Sequence, residues 1–406
     1  MTTVLGHVRV LDLSRILAGP WAGQLFADLG AEVIKVERPG RGDDTRGWGP
    51  PYFKDAEGND TESAYYLSAN RGKRSVAIDI TQPEGQALVR ELAAESDILL
   101  ENYKVGGLAR YGLDYASLQA VNPALIYCSI TGFGHTGPYR ERAGYDFLLQ
   151  AMGGLMSITG APDDQGGEPT KVGVALTDIL TGMYASVASL AALAHRERTG
   201  EGQHIDLALL DVQVATLANQ AMNYLVGGQV PQRMGNAHPN IVPYQTFPTR
   251  DGYLVLTVGN DDQFRRLGEI MGRPDLAADD RFTTNAGRVA HRDTLVPELA
   301  AVFRTRTTDD WLRDLEAAGV PCGPVNRIDR VFDDPHIRAR GMQTYTDHPQ
   351  LGTIPGVANP IRYSATPLGD HAPAPGLGEH SDTVLRDLLG HSTEDIAALR
   401  EKGVLG

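Results

Sequence analysis

The first forty residues constrain the fold more than any other stretch of the chain. Residues 8–13 form a short apolar run suited to a buried strand, and residues 32–37 form a second. Between them Gly19-Pro20 opens a helix, where a missing N–H costs little, and Gly30 closes it with a left-handed cap. Two strands joined by a helical crossover must run parallel, and a parallel sheet needs helices on both faces. The alternation continues downstream, with strands expected at 75–79, 98–101 and 124–131 and a helix at 83–95. A strand-like 172–176 leads into a long helix from 178 to 199, whose last turn carries Arg196 and Arg198 before Gly200. The fold class is therefore α/β.

At 406 residues the chain is too long for one simple core. Its character changes near residue 225, where a stretch to 240 rich in Gly, Pro, Gln and Asn reads as a linker. Beyond it lie a strand at 253–258 and a helix at 307–318, the latter with a Thr-x-x-Asp start and Gly319 at its end. From 341 the chain is proline-rich and loop-like, then helical near 382–389. The expected organisation is a large domain from 1–225, a smaller one at 226–340, and a final part at 341–406.

Composition narrows the function. With 42% hydrophobic and 22% charged residues the chain is globular, and a formal charge of −14 argues against nucleic acid or an anionic membrane as partner. Cys128 and Cys322 form no CxxC and too few thiols for a disulfide framework, which suits a cytoplasmic setting. No secretory signal opens the sequence, and apolar runs such as 186–194 are short for a membrane span. The eleven histidines show no metal-ligand spacing, so no metal is expected.

Gly132-Phe-Gly134-His-Thr-Gly137 has the GxGxxG spacing of a dinucleotide site and follows a strand. It runs into Pro138-Tyr-Arg-Glu-Arg rather than an apolar-faced helix, so a glycine-rich turn is the better reading. Basic residues recur where strands end: Arg15, Arg38, Arg46, Arg71 to Arg74, Lys104 and Arg110. The carboxyl edge of a parallel sheet is where ligands bind, and these cations favour a phosphate-bearing anion. Asp178 opens the long helix. It is either an ordinary N-cap or a carboxylate kept ionised by the helix start and free to attack an acyl carbon. The loop Gly160-Ala-Pro-Asp-Asp-Gln-Gly-Gly before it is a candidate cover.

Longer stretches of the sequence resemble a known family. Leu11-Asp-Leu-Ser-Arg-Ile-Leu-Ala-Gly-Pro20, Ala27-Asp-Leu-Gly-Ala-Glu-Val-Ile-Lys-Val-Glu37, Arg41-Gly-Asp-Asp-Thr-Arg-Gly-Trp48 and Asn70-Arg-Gly-Lys-Arg-Ser75 are similar to the opening of class III CoA-transferases, the formyl-CoA transferase-like family. Gly173-Val-Ala-Leu-Thr-Asp178, Gly319-Val-Pro-Cys-Gly-Pro-Val325 and Leu377-Gly-Glu-His-Ser-Asp382 extend the likeness to the end. The resemblance implies an interlocked homodimer, each subunit with a Rossmann-like large domain built from both chain ends and an inserted smaller one. It implies that Asp178 is the catalytic aspartate and that coenzyme A, as acyl-CoA, is the substrate. It carries CoA contacts to Arg15, Ile16, Leu17, Ala18, Arg38, Ile78, Asp79, Asn102, Tyr103, Lys104, Arg110, Ala143, Tyr145 and Asp146. Leu17 stands where formyl-CoA transferase has glutamine, and the glycine-rich lid of the oxalate-handling enzymes is absent, which points away from formyl and oxalyl chemistry. The related 2-methylacyl-CoA racemases place a histidine where this chain has Tyr145, so a base of suitable pKa is missing. A catalytically silent CoA-binding protein is the other alternative. The stretch Gly235 to Phe247 resembles members that pair succinyl-CoA with dicarboxylic acids, and Arg233, His238 and Tyr244 are candidates to hold the second carboxylate.

Overall fold

The structure is a computed structural model that describes residues 3–349, 351–369 and 371–406. Met1, Thr2, Gln350 and Asp370 lie outside the described residues. The chain divides into two compact units, one of residues 1–155, 172–221 and 336–406, the other of residues 156–171 and 222–335.

The first unit is built on a six-stranded sheet. β1 (Arg9–Asp12), β2 (Glu32–Glu37), β3 (Lys73–Ala77), β4 (Ile98–Glu101), β5 (Ile126–Thr131) and β6 (His204–Ala208) lie in the order β3-β2-β1-β4-β5-β6, and every neighbouring pair is parallel. That order reverses between β1 and β4, which opens a crevice at their carboxyl ends. Both faces are covered, so the strands read as continuous apolar runs. On one face Leu11, Ile34, Val76 and Leu99 pack with Leu88 and Leu92 of α1b, the helix Pro83–Ala94, and with Val384 and Leu385 near the C-terminus. On the other face Val10, Val33, Ile98 and Ile126 meet Ala22 and Phe26 of α1 (Ala18–Asp28) and Ala185 and Leu193 of the long helix Leu176–Thr199.

The opening unit forms as the sequence dictates. Gly30 closes α1 at φ +94, and a Cβ there would strike the Thr3 side chain. The third strand starts two residues earlier than expected, at Lys73, because Lys73 is drawn inward to Asp12. The C-terminal segment returns to this edge, with Ser381 Oγ accepting the Ala77 amide and the Gly406 amide donating to Ala77 O.

Three expectations change. Residues 172–176 form no strand, and the long helix starts at Leu176. This helix, of 24 residues, is long and apolar enough to cross a membrane by length and composition, because its apolar stretch extends well before 186. Its small residues pack in the first unit, with Gly182 so close to α1 that a Cβ would lie 2.6 Å from Ala18 O. The region after 341 is not all loop, since Gln343–His348 and Gly352–Val357 pair as an antiparallel hairpin.

In the second unit an antiparallel sheet of Tyr244–Pro248, Tyr253–Thr257 and Cys322–Pro324 packs under helices around Phe247, Phe264, Phe303 and Trp311. Thr307 caps the helix Thr308–Ala317 by accepting the Asp310 amide, as its Thr-x-x-Asp start foretells. Residues 156–171 group with this unit rather than with the first 225 residues, and the Gly235 amide donates to Gly160 O.

Candidate active site

The crevice beyond β1 and β4 holds a cleft of about 540 Å³. Arg15, Arg38, Ile78, Asp79, Tyr103, Lys104 and Arg110 line it, all of them residues the family resemblance carries to CoA. Arg38, Lys104 and Arg110 are exposed and form no ion pair among the described residues, so their charge is available to an anion. Arg15 and Arg41 share Asp44. The cleft thus concentrates positive charge in an acidic chain.

Ile16, Leu17, Ala18 and Asn102 frame this cleft rather than line it. The Asn102 side chain holds the backbone of one residue at both ends, accepting the Arg15 amide at 2.9 Å and donating to Arg15 O at 2.6 Å. Ile16 follows at φ +73, a left-handed conformation that costs a β-branched residue ~1–3 kcal/mol. Its amide points to the Asp43 carboxylate, 3.3 Å from each oxygen. Asp43 is buried against Lys35 at 2.9 Å, which holds its carboxyl down at about 2 against the cost of burial. Leu17 and Ala18 are buried where α1 begins.

Four of the basic residues at strand ends do other work. Arg46 binds Glu37 and Glu62 and lies over the Tyr66 ring, while Arg71 pairs with Asp28. Lys73 is buried on Asp12, and Arg74 bonds Glu32. Each stabilises the fold and leaves no charge for a ligand, because its neighbouring strand or helix supplies an acid.

Asp178 is positioned by glycines. Gly132, first of the GxGxxG run, meets Gly144 backbone to backbone, and a Cβ on either would lie 2.5–2.7 Å from the other's Cα. The run therefore makes a turn, not a phosphate loop, and its close approach brings the following segment to the start of the long helix. There Asp146 Oδ1 accepts the amides of Thr177, at 2.8 Å, and Asp178, at 3.3 Å, while Gln150 donates to Oδ2. Asp146 thus takes the free amides of the helix start.

This arrangement overturns the reading of Asp178 as a cap, and with it the expectation that the helix start keeps the carboxylate ionised. It is the third residue of the helix, after an N-cap at Ala175, and its carboxylate accepts none of the helix amides. Burial, reinforced by the Asp146 charge, pushes its pKa up to about 7. The helix start does not keep it ionised, because a second carboxylate occupies the position that would do so. Near neutral pH a partly desolvated carboxylate of this kind is a stronger nucleophile than a solvated one.

Ala143 and Tyr145 are exposed and do not line the cleft, Tyr145 at 62% exposure. Arg233, His238 and Tyr244 belong to the second unit. There His238 donates its amide to Tyr244 O and their rings lie 5.2 Å apart. Arg233 is committed to Asp163 and to Ala161 O, so the 160–167 loop consumes its charge.

Tyr65 escaped the sequence reading. Burial raises its pKa, and the Asp178, Asp146 and Asp43 charges raise it further. Asp43 also stands in the cleft wall. Trp48 meets the Tyr65 ring edge-on at 5.2 Å. The only signal in the sequence was a pair of aromatics in the polar stretch 41–66.

Comparison with known proteins places the chain in a family. The model of CoA-transferase family III matches residues 5–381. The succinate–glutarate CoA-transferase of Agrobacterium fabrum is 54% identical over 388 residues, 95% of each chain. The human succinyl-CoA:glutarate CoA-transferase is 44% identical over 403 residues, covering 99% of this chain and 90% of its own. Among solved structures, a CAIB/BAIF family protein from Brucella suis aligns with a TM-score of 0.83 at 53% identity, covering 96% of this chain and 100% of that one. Rv3272 of Mycobacterium tuberculosis aligns with a TM-score of 0.82 at 32% identity, covering 94% and 99%. With a model matched over nearly its whole length and relatives this similar, the chain belongs to CoA-transferase family III.

Proposed function

We propose that this enzyme moves CoA from succinyl-CoA to a dicarboxylic acid, glutarate first among the candidates, through covalent intermediates on Asp178. The observation that carries the proposal is the half-buried Asp178 carboxylate, its pKa pushed up to about 7 by desolvation and the Asp146 charge, in a unit that also carries a cationic cleft. The names of the relatives supply the acid pair.

The chemistry follows from a carboxylate meeting a thioester. An Asp178 oxygen attacks the thioester carbonyl, the C–S bond breaks, and CoA leaves as thiolate. The thiolate attacks the aspartyl carbonyl of the resulting mixed anhydride and expels succinate, leaving an aspartyl-CoA thioester. The acceptor carboxylate attacks that thioester, releasing the thiolate again and forming a second anhydride. Attack of the thiolate on the acceptor's acyl carbon then gives the new acyl-CoA and frees Asp178. Acyl activation is retained at every step, so the cycle calls for neither ATP nor a metal. Water must be excluded from the anhydrides.

In this reading Arg38, Lys104 and Arg110 hold the CoA phosphates, and Arg15, Ile78, Asp79 and Tyr103 line the nucleotide end. Desolvation and the Asp146 charge set the acidity of Asp178. His238 and Tyr244 are proposed to face the second carboxylate of the acceptor. The reading extends to an interlocked homodimer in the cytoplasm. Supporting it are the exposed Phe147, Val174, Met183, Tyr184 and Val187 near Asp178 and an apolar cleft of about 680 Å³ walled by Trp21, Phe53 and Ile354.

An exchange screen tests the proposal. Succinyl-CoA is incubated with a panel of mono- and dicarboxylic acids, and new acyl-CoA is detected by mass spectrometry. Wild type should form glutaryl-CoA or another dicarboxylyl-CoA, and Asp178→Ala should form none. Equal transfer by the variant would remove Asp178 from the mechanism.

A further inference from the structure

β4 ends in Glu101, a carboxylate only 4% exposed that forms no ion pair among the described residues. Its Oε2 accepts the Tyr103 amide at 2.8 Å, and Ser129 is its register partner on the neighbouring strand β5. Ser129 Oγ lies 2.9 Å from His204 Nε2, which completes a chain of three groups across β4, β5 and β6. The His204 ring stacks on Tyr115 at 5.1 Å and meets Tyr127 and His135 edge-on. These groups wall a second cavity of about 360 Å³, and Lys104 lines both this cavity and the cleft.

The residues after Glu101 are those that hold the cleft's edge. Asn102 bonds both the N–H and the C=O of Arg15, and the Arg15 guanidinium lies 5.4 Å over the Tyr103 ring. The anchor of this short loop is therefore the bond from Tyr103 N–H to Glu101. Its strength depends on whether the acceptor is a carboxylate or a neutral acid.

We propose that Glu101, Ser129 and His204 form a proton-sharing chain that sets the grip of the 102–104 loop on acyl-CoA, deprotonation of the chain tightening donor binding. This rests on reading the adjoining cleft as the CoA site. In the deprotonated chain Glu101 accepts both Tyr103 N–H and Ser129 O–H, and Ser129 Oγ accepts His204 Nε2–H. One proton entering at His204 Nδ1 sends the Nε2 proton to Ser129 Oγ and the Ser129 proton to Glu101. A single proton is gained, and Glu101 loses the charge that held Tyr103.

The surroundings place this change near neutral pH. Burial, opposed by Ser129 and the Tyr103 amide, pushes Glu101 up to about 7. The other titratable groups facing the chain are Lys104, Asp114 and Tyr115 from the segment after β4, Tyr127 and Cys128 from β5, His135 from the turn after it, and Asp206 from β6. Burial and His135 lower the pKa of His204, while Asp206 raises it. The proton that the chain takes up therefore ends on the carboxyl, which becomes neutral, and not on the imidazole.

The test is CoA binding to the full-length protein by calorimetry from about pH 6 to about pH 8, for wild type and Glu101→Gln. CoA's own phosphates titrate identically in both proteins. Wild type should gain roughly fivefold in affinity relative to the variant as pH rises, the difference between a charged and a neutral acceptor for one amide. Ser129→Ala should move this gain to higher pH, because the hydroxyl no longer stabilises the carboxylate. An unaltered pH profile in Glu101→Gln overturns the proposal alone, whereas absence of CoA binding at every pH overturns the cleft reading and this one with it. Should Glu101→Gln not fold, wild type titrated in two buffers of different ionisation enthalpy should release protons on binding CoA near pH 7. Release equal to that of the ligand phosphates by themselves would refute the chain.

Discussion

Replacing Asp178 by Asn should stabilise the protein, and by more at alkaline than at acid pH. In the fold the carboxyl titrates at about 7 rather than 3.8, because burial and the Asp146 charge disfavour the anion. A raised acid pKa means that the folded chain holds the proton more tightly than the unfolded chain. Ionisation therefore costs nothing below pH ~4, an increasing amount between ~4 and ~7, and a constant amount above. The rise of about three units corresponds to at most ~4 kcal/mol above pH 7, at ~1.4 kcal/mol per unit. At pH ~5 only ~1.5 kcal/mol of that is present, so the advantage of Asn over Asp should grow by ~2.5 kcal/mol between pH ~5 and ~8. For a chain of this size that is a widening of the Tm gap by about 3 °C, readable by scanning fluorimetry of the ligand-free proteins. Asparagine keeps the shape of the neutral acid, so packing is unchanged. If both proteins shift in parallel with pH, or if the variant loses stability at pH ~8, the carboxylate is not held in a desolvated state and the reasoning fails.

Three further outcomes follow from the same geometry. Asp146→Asn keeps an acceptor for the helix amides but removes the charge facing Asp178, so the acid limb of kcat/KM should move down by roughly one pH unit in a pH–rate profile. Gly182→Ala places a Cβ 2.6 Å from Ala18 O, one turn beyond Asp178, and should cost ~1–3 kcal/mol in denaturant titration as well as lower kcat. Asp43→Ala strands the buried Lys35 and frees the Ile16 amide, and should cost ~3 kcal/mol of stability and raise KM for the acyl-CoA.

The fold was legible where local chemistry and tertiary packing agree. Residues 8–37 show strand, Pro-started helix, glycine stop and strand in order, and the structure has each of them. The run at 132–137 was legible as a turn because no apolar helix follows it, but its reason was not. Gly132 is required by Gly144, and nothing in a one-dimensional pattern marks a contact between two residues that lack side chains. Asp178 was visible through its motif, yet its acidity was misjudged. The inference from helix start to ionised carboxylate assumed that no other group would take the amides, and Asp146, 32 residues earlier, takes them. The basic residues failed in the same way: Arg46 and Arg74 sit at strand ends like Arg38, and only the positions of Glu37 and Glu32 separate internal ties from ligand contacts.

The return of the C-terminus to β3 has a consequence for synthesis. Gly406 donates to Ala77 O, and the Val384–Leu385 contacts cover the face that Val76 shares with Leu11 and Ile34. Until the last residues emerge from the ribosome, the edge of the sheet made first has neither its terminal hydrogen bonds nor its apolar cover. At ~5–20 residues per second that interval lasts ~15–60 s, long compared with hydrophobic collapse. During it the nascent chain presents an uncovered parallel edge to every other chain in its surroundings, and the charged Lys73 and Arg74 at the start of that strand work against wrong pairing there.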